Sequence, residues 1–228
     1  MAKKKTDNTE EKIMAVEEAL SKTEIFIEKN QKLLGIIIGA VALVVLAYFG
    51  FQRFYLMPRE KQAQSQMFMA EKYFEQDSLK LALNGDGMYP GFLEIIDDYS
   101  MTKSARLAHY YAGIIMLNDG KFQEAIDHLE KFNIKDDMIA PMAKGAIGDA
   151  YMELGDASKA ADSYIKASEI SVNDFTSPVF LQKAAWAFED AGNKAEAIKA
   201  YDKIRVDFPR STEARDVEKY IARLKGQE

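Results

Sequence analysis

Residues 145–167 read GAIGDAYMELGDASKAADSYIKA, and this stretch decides the fold. Gly148 is followed three residues on by bulky Tyr151, four further by Gly155, and five further by Ala160. Tyr164 and Ala167 then continue the second half at helical spacing. Apolar and small residues three and four apart, broken once by a glycine, describe two helices joined by a tight turn. The small residue at 148 sits where the two helices would cross, and Gly155 would end the first in a left-handed cap.

The same pattern recurs on both sides. Residues 111–132, YAGIIMLNDGKFQEAIDHLEKF, give Gly113, Met116, Gly120, Phe122, Ala125, Leu129 and Phe132. Residues 184–209, AAWAFEDAGNKAEAIKAYDKIRVDFP, give Ala185, Phe188, Gly192, Ala197, Tyr201, Ile204 and Pro209. The turn glycines are 35 and then 37 residues apart. A fixed period of this size is the signature of a stacked helical repeat. Ala125, Ala160 and Ala197 let the second helix nest, and Leu129, Tyr164 and Tyr201 are expected to fill the space between units. Pro209 stops the last second helix, and Ser211 can cap the helix after it.

These three stretches resemble the tetratricopeptide repeat family over residues 106–211. The sequence departs from it where a tryptophan usually stands early in the first helix, having His109, Lys144 and Leu181 there, and Lys194 replaces an aromatic after the third turn. The resemblance implies an all-α solenoid whose work is protein binding. The expected units are 105–140, 141–177 and 178–211. Residues 58–104 read as a divergent first unit, with helices at Gln62–Phe74 and Phe92–Tyr99 split by Asn84-Gly85-Asp86-Gly87 and Pro90-Gly91. Asp86 lacks alternating oxygen ligands, so this loop reads as a turn and not a calcium site. Residues 212–225 form a capping helix, whose wet face carries Glu213, Arg215, Asp216, Glu218 and Lys219.

Ahead of the repeats, Leu33 to Gln52 holds twenty residues without a charge. A helix of that length rises about 30 Å, the thickness of a bilayer's hydrocarbon core. Tyr48, Phe49, Phe51, Phe54 and Tyr55 gather at its end, where headgroups favour aromatic rings. The run begins too late, is too long for a signal peptide and lacks a small-residue cleavage site, so it reads as an uncleaved transmembrane helix. Lys22, Lys29 and Lys32 before it balance Arg53, Arg59 and Lys61 after it. The further leader lysines, Lys3 to Lys5 among them, tip the N-terminus toward the cytoplasm. Gly35 and Gly39 form a small-xxx-small pair suited to packing against another helix. In the charged leader, 1–32, Thr23 is a possible cap for a short helix toward the span, and Ile13, Val16 and Leu20 suit either an interfacial helix or a half-ordered tail.

Charge and composition narrow the chemistry. The leader holds seven basic and seven acidic residues, so the formal net charge of −6 falls on residues 33–228. An acidic domain repels phosphate backbones, which argues against nucleic acid. There is no cysteine, hence no disulfide, thiolate metal site, cysteine nucleophile or lipid-anchoring lipobox. The two histidines, His109 and His128, fall on different helices and read as ordinary packing or surface residues. No phosphate-binding glycine loop or nucleophile elbow occurs, and the adjacent pairs Asp97–Asp98 and Asp136–Asp137 point apart on a helix. No catalytic residue, metal or cofactor is expected, and the chain does not read as an enzyme.

The whole layout of charged leader, single span, continuing helix and repeats resembles the YfgM-like family of ancillary subunits of the SecYEG translocon. That resemblance implies a bacterial inner-membrane protein with a periplasmic domain, meeting the translocon, chaperones or unfolded client chains. In such arrays the first helices line the concave face. The residues that would point into it are Tyr110, Ile114 and Asn118, then Met142, Asp149, Met152 and Glu153, then Gln182, Trp186, Glu189 and Asp190. Related domains that clamp a terminal carboxylate use Lys, Arg and Asn there. This set offers aromatics, methionine and carboxylates, which suits apolar or basic segments. Two alternatives stay open: the same rings and methionines pack between helices, or the chain is a structural adaptor of an envelope complex that touches no client.

Overall fold

The computed structural model describes the backbone of residues 3–226 and the side chains of residues 24–226. It contains helices and no strand among the described residues. The chain divides into two compact units, Met1–Met57 and Pro58–Glu228.

The first unit is α1, Lys3–Phe51, followed by a π turn at Gln52–Leu56. Because α1 begins at Lys3, Thr23 lies inside it and not at a helix start, a correction to the sequence reading. The side chains of Ile13, Val16 and Leu20, read as an interfacial face or part of a half-ordered tail, lie outside the described residues. From Glu24 onward the helix is long and apolar enough to cross a membrane by length and composition, and none of its apolar window is buried. Ile36, Leu43 and Leu46 are each about two-thirds exposed. No side chain lies within 4 Å of the position a Cβ would take on Gly35 or Gly39, so that face is open. The π turn has a local cause. Pro58 has no N–H for the carbonyl four residues back, and the Met57 N–H reaches instead to the Gln52 carbonyl, five residues back. Phe51 and Tyr55 stack across this turn with ring centroids 5.0 Å apart.

The second unit begins with α2, Met57–Glu75, α3, Leu79–Asn84, and α4, Phe92–Asp98. The short helix α3 falls where the sequence suggested only a loop. Asp86 organises the turn after it: one oxygen accepts the Met88 and Tyr89 N–H groups at 2.8 and 2.7 Å, and the other accepts the Tyr73 hydroxyl at 2.7 Å. These bonds hold its carboxyl below the usual carboxylate range, with the tyrosine bond the largest cause. Phe74, Phe92 and Tyr111 meet in an aromatic cluster, Phe92 stacking on Tyr111 at 4.7 Å. Glu60 of α2 caps the next helix, accepting the Lys103 and Ser104 N–H groups at 2.6 and 3.1 Å.

Three helical hairpins come next. They pair α5, Lys103–Asn118, with α6, Phe122–Leu129; α7, Ile139–Glu153, with α8, Ala157–Ile170; and α9, Ser177–Asp190, with α10, Lys194–Asp207. Each first helix ends the same way. Gly120, Gly155 and Gly192 have φ of 77°, 77° and 74°, the left-handed region where a side chain is strained. In the middle hairpin the Gly155 and Asp156 N–H groups return to the Met152 and Tyr151 carbonyls, each at 2.9 Å, closing the helix in a Schellman cap. Asp156 and Asn193 then cap the second helices through the Lys159 and Glu196 N–H groups.

The hairpins close through small-to-large contacts. A Cβ on Gly113 would lie 2.6 Å from Leu129 Cγ, and one on Gly148 would lie 2.5 Å from Tyr164 Cε1. Leu129, Tyr164 and Tyr201 therefore seat within their own hairpins as well as in the clusters shared with the next unit. A second crossing, absent from the sequence reading, sets one hairpin on the next: a Cβ on Gly145 would run into the Phe180 ring. The end of the array is a 3-10 turn, Glu213–Asp216, and α11, Val217–Lys225. Ser211 caps the turn through the Ala214 N–H, while Val217 and Leu224 close the last apolar cluster.

Candidate peptide-binding groove

Helices α5, α7 and the start of α9 enclose a trough of about 420 Å³. Its lining includes Tyr110, Ile114 and Asn118 from α5, Met142, Ala146 and Asp149 from α7, and Phe175, Val179, Phe180 and Lys183 at α9. The array thus brings together five of the residues expected to form the concave face: Tyr110, Ile114, Asn118, Met142 and Asp149. Met142 is 46% exposed, Val179 37% and Phe175 78%, so much of the apolar lining is wet. Tyr110 is half-buried and leans on Tyr111 and Phe132, which means that it serves both packing and lining. Burial pushes its phenol above the usual range.

One charged pair crosses the trough. Lys183 Nζ donates to both Asp149 oxygens at 2.8 and 3.1 Å. Asp149 also accepts the Tyr164 hydroxyl at 2.6 Å. Desolvation first, and this bond second, push the Tyr164 phenol far above its usual range. The ammonium also lies 5.6 Å above the Tyr164 ring centroid. Sequence reasoning missed Lys183, although Val179, Lys183, Trp186 and Asp190 share one helical stripe at spacings of four, three and four.

Six expected residues lie outside the trough, exposed Asp190 among them. Trp186 is 48% exposed, one helical turn beyond Lys183, and Glu153 is exposed and Gln182 half-buried. Two of these residues have other contacts in the structure. Met152 is half-buried and packs against the cluster that includes Ala160, Tyr164 and Ala184. Glu189 is a brace: it accepts the Tyr201 hydroxyl at 2.8 Å and pairs with Arg223, tying α9 to α10 and α11. A wider hollow of about 560 Å³, lined by Phe132, Ile134, Lys144 and Ile170 among others, contains none of the expected residues.

The histidines are closer than their sequence separation suggested. His109 of α5 and His128 of α6 face each other with their Nδ1 atoms 3.0 Å apart. Burial is the largest cause holding both below the usual histidine value, His109 at about 4.

Comparison with known proteins places this architecture. Residues 180–211 match a family model for the tetratricopeptide repeat. Two solved structures of nearly identical TPR-like repeats, from a Podosopora anserina protein assigned as a kinesin light chain, superpose with a TM-score of 0.54. One of the two is a point variant of the other; each is 15% identical, and the match covers 74% of this chain and 89% of that one. Comparison with curated protein sequences gives no match. At that identity the structures speak for the fold alone, and it is the fold of a tetratricopeptide-like helical array.

Proposed function

We propose that this array holds an apolar, basic-flanked segment of a partner polypeptide in the trough between α5, α7 and α9, while α1 anchors the chain in a membrane. The carrying observation is the lining itself. Met142, Val179 and Phe175 are exposed apolar surface in a concavity, a place where burial against a partner is worth about 25 cal/mol per Å². Lys183 is already paired with Asp149, so it offers no free cation to an acidic ligand. Glu153, Asp174 and Asp190 are exposed on α7, just before α9 and on α9, the elements that carry the lining, and favour basic flanks.

The anchoring reading rests on the uncharged run 33–52 and on the unburied apolar face of α1. The leader lysines favour a cytoplasmic N-terminus and an array on the other side, periplasmic in a bacterial inner membrane. The resemblance in layout to translocon-associated subunits supports emerging client chains, chaperones or the translocon as partners.

The test uses the full chain in nanodiscs and fluorescein-labelled peptides with one apolar core and either lysine or glutamate flanks. The lysine-flanked peptide is expected to bind tighter. Val179→Glu should weaken it at least about tenfold, or about 1.4 kcal/mol, while Val206→Glu on α10 should not. Equal loss in both variants, or preference for the acidic peptide, removes the groove and leaves the structural-adaptor reading. Release of the chain from membranes by carbonate removes the anchor.

A further inference from the structure

His109 and His128 face each other across the first complete hairpin, Nδ1 to Nδ1 at 3.0 Å with ring centroids 5.0 Å apart. Two imidazoles can share such a gap through a proton, one ring donating Nδ1–H to the lone pair of the other. They can also share it through a metal ion. Metal–imidazole bonds of about 2.0 Å place two cis ligands of a square-planar ion about 2.8 Å apart, and two tetrahedral ligands about 3.3 Å apart. The observed spacing falls between these, so the distance between the two nitrogens need change by no more than about 0.3 Å to serve either geometry.

We infer that His109 and His128 form a two-point chelate for a divalent transition-metal ion, with Cu²⁺ held more tightly than Zn²⁺. The copper preference comes from the general affinity order for nitrogen ligands, and the short spacing suits cis positions of a square plane. Asp97, Glu124 and Asp127 are the acidic groups whose fields reach the pair, against Lys131 on the basic side. Among the described residues no cluster of three or more His, Asp or Glu side chains is arranged for a metal, so water completes the coordination. Binding moves the donor ring's proton from Nδ1 to Nε2, where the other ring already carries its own, and releases none. The bound ion would staple α5 to α6 independently of any peptide in the trough.

The experiment uses the tag-free full chain in detergent micelles, titrated with CuCl₂ alone and read by electron paramagnetic resonance. One Cu²⁺ per chain with splitting from two nitrogens is expected. His109→Gln and His128→Gln should each lose that signal and bind at least tenfold more weakly. Absence of saturation at one equivalent, or an unchanged signal in either folded variant, overturns the assignment. Should a variant lose its helical circular dichroism, the wild type decides through ¹⁵N histidine resonances during addition of Zn²⁺. Both Nδ1 signals moving together at one equivalent supports the chelate, and Nδ1 signals that stay in place overturn it.

Discussion

Gly148→Ala adds one methyl group where α7 crosses α8. The new Cβ would lie 2.5, 2.7 and 2.9 Å from Cε1, Cδ1 and Cζ of Tyr164. Ordinary carbon contacts lie at about 3.5–4.0 Å, so the ring and the helix must separate by about 1 Å. Tyr164 has little room to retreat, being 3% exposed with its hydroxyl held by Asp149 at 2.6 Å. Helix α7 is held from another direction as well, because Gly145 sits against the Phe180 ring. Overpacking of this kind costs about 1–3 kcal/mol, and losing the tyrosine hydrogen bond costs about 1 more. Alanine returns about 1 kcal/mol through its better helix propensity. The net expectation is a loss of about 1–3 kcal/mol, read as a lower urea midpoint with unchanged slope in the full chain in micelles. Gly113→Ala should cost less, since its neighbour Leu129 is an aliphatic side chain that can change rotamer. The third hairpin already places Ala185 and Tyr201 at the corresponding positions, both fully buried. If Gly148→Ala is as stable as the parent, the middle hairpin can widen in the same way, and the clamped-helix argument is wrong.

Two further outcomes are expected from the same geometry. His109 has its folded value lowered from 6.5 to about 4, so the unfolded chain takes up the proton first as pH falls. Its contribution to stability is complete above about pH 6.5 and is lost progressively toward pH 4, and His109→Gln should flatten the urea midpoint against pH in that window. Glu189→Gln should weaken the brace to Tyr201 and Arg223, costing about 1–2 kcal/mol and speeding amide exchange in α11. Affinity for the lysine-flanked peptide should stay the same, and a drop there would return Glu189 to the groove.

The sequence by itself determined the helical hairpins. A turn glycine, a small residue seven positions before it and an alanine five after it are local features, and the chain repeats them with one period, so the reading of any one unit checks the others. The length and apolarity of 33–52 were equally local. What the period could not carry was contact between distant parts of the chain. Glu60 caps a helix 43 residues away, Asp149 meets Lys183 34 residues on, and His109 meets His128 across 19. The fates of Met152 and Glu189 were likewise decided by tertiary structure, because helical spacing says which residues share a stripe but not what lies opposite it. The packing of one hairpin on the next turned that stripe partly into trough, partly into core and partly into a brace for the last helix.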